Sequence, residues 1–389
     1  MPGTAVGAPM QTPPIGAPSG GNLIPFRRAT TERVGILPAE NAVQTTAAEI
    51  PIQRTIEGSG YLYGITLRVI VTTAANAATV AFFEDGPFSG LSSVILEDVN
   101  AQLLNAQGWD LYLANLIDRQ YAVRFQDQST NTNLYQAVTG AGATGGSYAF
   151  TVRLPVGTNR RDLRGIMGNQ DRAQKYFLRT NVNNHSATAT GPVYTTAPTT
   201  LGTITIEKYY ENYSVPNAKS PTNSPQAQTP PDFGTIHYLT STLGDAAPLG
   251  GSQVNHYLRR IGNTIRWVAV VLRSNNTRAN AETNFPTNLQ FKVGEDTLYN
   301  ESWAYRKWLM YERFGFDMPN GVIIYDALHD FAAAAGFEIG DDYFHTQALV
   351  NAQLIATYPS GFGSTANSIK FITDDLQYVQ PSAGVAVSA

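Results

Sequence analysis

Gly140 and Gly145, in the stretch GAGATGGS, are spaced like the glycines of a phosphate-binding loop, G-x-x-x-x-G-K-[ST], and Ser147 sits where that loop carries its hydroxyl. Such a loop also needs a lysine between the second glycine and the hydroxyl, and a following helix whose N-terminus faces the phosphates. The lysine position is Gly146. Beyond it, Tyr148, Phe150, Val152 and Leu154 alternate with Ser147, Ala149, Thr151 and Arg153, the period of a half-buried strand. The stretch reads as a glycine-rich turn feeding a strand, not as a nucleotide site.

Other chemistry-bearing residues are equally unsupported by their spacing. His185, His237, His256, His329 and His345 are scattered, with no H-x-x-H or H-E-x-x-H pair to hold zinc. The acidic pairs Glu97-Asp98, Glu295-Asp296, Asp341-Asp342 and Asp374-Asp375 lack the D-x-[DN]-x-[DN]-G frame of a calcium loop. Neighbours in a strand point to opposite faces, so these pairs are expected to be solvated strand ends. No G-x-S-x-G elbow is present. Arg160, Arg161 and Arg164 form the densest basic cluster, but Asp162 lies inside it and no aromatic residues interleave, as a nucleic-acid surface would require. Trp303, Tyr305 and Trp308 have the makings of a sugar-stacking platform; on an amphipathic helix they are expected in the core. No catalytic, cofactor-binding or metal-ligating set emerges, and the chain is expected not to be an enzyme.

The elements that would position any site come next. Of 389 residues, 43% are hydrophobic and only 14% charged, with 34 Gly and 22 Pro, which predicts real cores, many turns and much neutral surface suited to subunit contact. The net charge of −4 argues against general nucleic-acid binding. The absence of cysteine excludes disulfides and thiolate metal sites. No stretch reaches the length of a membrane span, and the N-terminus lacks a basic and an apolar signal region, so synthesis in a cytoplasm is expected.

Residues 1–48 read as a flexible arm, Pro/Gly/Ala-rich at first and then carrying Arg27, Arg28 and Arg33, with a possible helical turn near Ala29–Val34. Alternating strands dominate residues 49–214, interrupted by a helix around Trp109, Leu113, Leu116 and Ile117 and a helical turn around Asp162–Met167. Residues 215–234 form a Pro/Ser-rich linker, residues 235–379 are again strand-rich, and 380–389 are a small-residue tail. The second half has its own helix, with Asn300 as expected N-cap and Gly315 as stop. Trp109 and Trp303, each in a helix that follows a strand ending in Glu-Asp, stand about half the chain apart. The repeated order around the linker predicts an all-β chain with a few short helices, built as two β-sandwiches of similar design.

The ordered set AGATG, strand, LPV, RDLRGIMGN and KYFLRTNV (Ala141 to Val182) resembles the major capsid proteins of tectivirus-type phages, membrane-containing double jelly-roll viruses. EDGPFSGLSSVILEDVNAQLLNAQGWDLYLAN and SWAYRKWLMYERFGFDMPNGVIIYD resemble the family's helix-bearing segments of the first and second halves. The resemblance implies two tandem eight-stranded jelly rolls and a major capsid protein. Homotrimeric capsomers of pseudo-hexagonal outline would tile an icosahedral virion shell over an internal lipid membrane. The implied partners are the chain itself, penton and minor capsid proteins, and the membrane, with no sequence-specific nucleic acid and no cofactor. Arg27, Arg28 and Arg33 would then meet either lipid phosphates or carboxylates of a neighbouring capsomer. The alternative is a virion spike or a carbohydrate-binding double β-sandwich.

Overall fold

The computed structural model describes residues 26–377 except 44–47, 59, 74–80, 99–100, 119–145, 159–162, 171–174, 185–192, 197–201, 217–234, 245–246, 280–284, 316, 328–342, 347–350 and 363–365. Among the described residues, sixteen strands of five residues or more fall into two sets of eight. The first set is β1 (Glu32–Val43), β2 (Ile50–Ile56), β3 (Tyr61–Thr73), β4 (Leu91–Glu97), β5 (Gln102–Ala106), β6 (Gly146–Pro155), β7 (Tyr176–Val182) and β8 (Thr203–Tyr213). The second is β9 (Ile236–Leu243), β10 (Gln253–Tyr257), β11 (Thr264–Ser274), β12 (Asn288–Val293), β13 (Asp296–Ser302), β14 (Val322–Asp326), β15 (Ala352–Thr357) and β16 (Ser368–Gln377). Helices α1 (Phe26–Ala29), α2 (Gly108–Asp118) and α3 (Trp303–Phe314) accompany them.

In the first half the sheets run β1-β8-β3-β6 and β2-β7-β4-β5; in the second, β9-β16-β11-β14 and β10-β15-β12-β13. Adding eight to each label of the first half reproduces the second. Every neighbour within these four sheets is antiparallel. This interleaved two-sheet order is the jelly roll, present twice. The helix recurs as well: α2 follows β5 and α3 follows β13.

The halves are fused through the backbone. β5 pairs in parallel with β9, Leu104 opposite Leu239 and Asn105 opposite Thr240, so a sheet of the first half continues into a sheet of the second. β11 shows the consequence in its sequence. TIRWVAVVLRS does not alternate in polarity because both of its faces are covered. Val268, Val270 and Leu272 join the second half's own core with Leu289, Phe291 and Leu354. Trp267, Ala269 and Val271 face the other way and belong to a core shared with the first half.

Several expectations are revised. The arm cannot extend to residue 48, because Glu32–Val43 is a full strand in register with β8. Its edge position leaves most side chains exposed, so it lacks the apolar alternation that marks a strand in sequence. The expected turn at Ala29–Val34 is displaced to α1, where Phe26 packs edge-on against Tyr61 and Tyr213. The segment expected as a helical turn at Asp162–Met167 contains, over its described residues, Leu163 at φ 56° and Gly165 at φ 78°, followed by a short pairing of Met167–Gly168 with β3. Asn300 lies in β13; the N-cap of α3 is Ser302, whose hydroxyl accepts from the Tyr305 N–H at 3.4 Å. Gly315 ends α3 as expected, at φ 74°, its N–H donating to the Tyr311 carbonyl at 2.7 Å. Residues 217–234 of the linker and the tail lie outside the described residues.

Candidate functional site

The most elaborate chemistry in the described molecule lies at the junction of the halves. α2 covers the outer face of the β9-β16-β11-β14 sheet, the face turned away from the second half's core. Its sequence, GWDLYLANLID, is apolar on nearly every side because the first half's β6 and this sheet enclose it. Polar residues tie the two surfaces together. Lys370 on β16 bridges to Asp110 at 2.5 Å and to Gln107 at 3.0 Å. Arg278 lies over the Trp109 ring at 5.2 Å, and its guanidinium donates to the Glu84 carbonyl at 2.6 Å. Arg273 pairs with Asp85.

At the far end of α2 a buried ionic chain crosses the junction. Asp118 accepts from the Trp267 indole at 3.3 Å and from Arg266 at 3.4 Å. Arg266 donates to Asp374 at 2.8 Å. Asp374 is 2.9 Å from His237 Nε2, and His237 Nδ1 is 3.1 Å from the carbonyl of Val156 in the first half. A carbonyl only accepts, so Nδ1 carries a proton. An ionised carboxylate only accepts, so Nε2 carries one too: the ring is an imidazolium.

The energetics agree with that assignment. Burial works against the charge on His237, but Asp374 beside it outweighs burial and raises the imidazole above its ordinary pKa. Burial likewise opposes ionisation of Asp374, and Arg266 and His237 together hold it below the usual carboxylate range. Two cations and two carboxylates alternate, so the chain is neutral as a whole. Breaking one link would strand a buried charge. The neighbouring Asp375 goes the other way: burial raises it in spite of Arg260.

The residues singled out in the sequence are spread across the molecule. Arg27 and Arg33 are exposed, Arg27 on α1 and Arg33 on β1; the side chain of Arg28 lies outside the described residues. α1 and the start of β1 are strapped to the end of β8 through reciprocal bonds between Thr31 and Ser214. His237 and His256 are buried, the latter 2.8 Å from the Tyr358 hydroxyl; His185 and His329 fall outside the described residues. Asp374 and Asp375 overturn the solvated-end expectation, since both are fully buried. Glu97 pairs with Arg179, and Asp98 accepts from the Ala101 N–H at 2.6 Å. Asp341-Asp342, Arg160 and Arg161 lie outside the described residues, and Arg164 is half-buried. No group of His, Asp and Glu suited to a metal is found among the described residues. Trp303 meets the core expectation, stacked on Phe285 at 3.8 Å, but Tyr305 and Trp308 do not: both project from α3 into solvent. Sequence reasoning missed His237, Arg266 and Asp374 as a unit. The available signal was an adjacent acidic pair within the otherwise apolar run SIKFITDDL, and an arginine inside TIRWVAVVL.

No protein-family model matches the chain, and no curated protein sequence matches it. Solved structures do. The major capsid protein of Sulfolobus turreted icosahedral virus superposes with a TM-score of 0.63 at 10% identity, over 92% of this chain and 100% of that one. The capsid protein of PBCV-1 virus superposes at 0.60 with 12% identity, over 89% and 93%. The major capsid protein of bacteriophage PM2 superposes at 0.50 with 10% identity, over 90% and 99%. At such identities the likeness is one of fold. The fold is that of the double jelly-roll viral major capsid proteins, as the resemblance in the sequence implies.

Proposed function

We propose that the chain is a virion major capsid protein that assembles as homotrimeric capsomers of pseudo-hexagonal outline, tiling an icosahedral shell over an internal membrane. The observation that carries this reading is the tandem jelly roll fused into one body through β5 and β9, in a fold otherwise shared with capsid subunits. Two equivalent blocks per chain make three chains a six-block ring, the unit that packs without gaps on a flat lattice. Low charge and neutral Thr/Asn/Gln surface suit wide subunit contacts with few charges to desolvate.

Residues 1–25, together with Arg27, Arg28 and Arg33, are proposed to reach neighbouring capsomers or lipid phosphates, with penton and minor capsid proteins as further partners. A deletion that tests this must stop at residue 25, because Phe26 packs on Tyr61 and β1 is part of the first jelly roll.

Native mass spectrometry of the purified chain tests the reading. The expected species is close to three times 42.1 kDa, with hexagonal outlines in electron micrographs. A stable monomer would sink it. One observation favours a second reading, a carbohydrate-binding double sandwich: Tyr305 and Trp308 lie exposed with ring centroids 5.7 Å apart. A monomer whose tryptophan fluorescence responds to added glycans would support that alternative.

A further inference from the structure

The internal junction has two mating surfaces, and each has a twin in the other half. α2 of the first half mates with the outer face of the second half's β9-β16-β11-β14 sheet. The twins are α3 and the outer face of the β1-β8-β3-β6 sheet. Strand pairing sets the correspondence: β3 and β11 each carry one extra residue in the ladder, Tyr63 and Arg266, so the row Val34–Glu211–Gly64 is to the first sheet what Leu239–Asp374–Trp267 is to the second. Leu239, Asp374 and Trp267 are buried. Val34 is 66% exposed, and in the next row on the same face Ile36 is 67% exposed with Tyr209 and Thr66 half-buried; Glu211 and Gly64 are covered, Glu211 by its ion pair with Arg153. The helices show the same contrast. Counted from the first residue of each, Tyr305, Trp308 and Glu312 of α3 stand where α2 has Asp110, Leu113 and Ile117. The α2 residues are buried, whereas Tyr305 is 52% exposed, Trp308 55%, and Glu312 is exposed.

We propose that these two surfaces mate between copies: α3 of one chain docks on the outer face of the β1-β8-β3-β6 sheet of the next, with β13 running beside β1 as β5 runs beside β9. The occupant is a second copy of this chain because the chain already contains the same contact between the twin elements. The aromatic residues on α3 and the exposed Val34 and Ile36 on the edge strand supply apolar area of the kind that dominates interfaces. Because the two mating surfaces differ, the contact is head-to-tail and closes a ring only at the right rotation. The copy number of three rests on the capsomer reading above; the choice of surfaces does not.

The absence of cysteine makes the test specific. Within the chain Lys370 bridges to Asp110; their twins are Glu207 and Tyr305. A Glu207→Cys/Tyr305→Cys double variant treated with a short bis-maleimide should give a denaturing-gel ladder that ends at three chains, while each single variant stays at one. In parallel, Trp308→Glu should abolish the trimer in native mass spectra while the circular dichroism spectrum keeps its folded β signature. A trimeric wild type whose double variant yields no ladder, or whose trimer survives Trp308→Glu, overturns the proposed contact and leaves the trimer standing. A monomeric wild-type chain overturns both.

Discussion

His237 shows how one residue can couple the two halves. Both ring nitrogens donate, one to Asp374 and one to the Val156 carbonyl, so its hydrogen bonds need the charged form. Its folded-state pKa is raised, against about 6.5 for a free imidazole. The stabilisation is therefore complete below about pH 6.5 and is lost as the pH rises through the raised value. Asp374, lowered in the folded state, adds stability above the unfolded carboxylate value of about 3.9 and loses it as the pH falls through its own lower value. Thermal melts from pH 4 to 9 should show a midpoint that falls on the alkaline side. His237→Ala should remove that alkaline slope and destabilise by about 3–5 kcal/mol, because Asp374 then keeps only part of its compensation. A variant with the wild-type slope would show that another group sets it.

At the scale of elements, the twin helices differ for a physical reason visible in their composition. α2 is enclosed and mostly apolar, its Asp110 and Asp118 paired with cations of the second half. α3 buries only a stripe of Arg306, Met310 and Phe314, with Arg306 lying 4.4 Å from the ring centroids of both Tyr299 and Tyr325. A helix held by one stripe depends more on its ends. Gly315 sits in the left-handed region, so Gly315→Ala should cost about 1 kcal/mol, read as a lowered denaturation midpoint in urea. An unchanged midpoint would mean that the end of α3 frays freely.

Much of this was legible in the sequence. The strong alternation of Tyr61 to Val71 marks β3, and the apolar runs at 264–272 and 322–325 mark β11 and β14. Gly315 was readable because a glycine stop follows a helical periodicity. What escaped were the edge strands. β1, β2, β10 and β13 are short of buried side chains, so their polarity pattern carries little signal. The ionic chain escaped for another reason: His237, Arg266 and Asp374 are brought together only by strand register, which spacing along the chain does not encode.

At the scale of the whole molecule, one apolar core runs from the first half into the second and includes Trp267, Ala269, Val271 and Ile372. The halves should therefore melt together in a single calorimetric transition. Residues 235–389 expressed alone would expose that face of β11 and β16 and should aggregate or elute as oligomers in size-exclusion chromatography. A soluble, folded, monomeric second half would show that the shared core is dispensable.

The β5–β9 seam also imposes a rule of parity. Each chain brings its jelly rolls in an inseparable pair, so any ring closed from whole chains contains an even number of them. Six is allowed, and five cannot be made at any concentration. If the chain tiles a closed icosahedral shell as proposed, a five-fold corner cannot be filled by a ring of five of its jelly rolls.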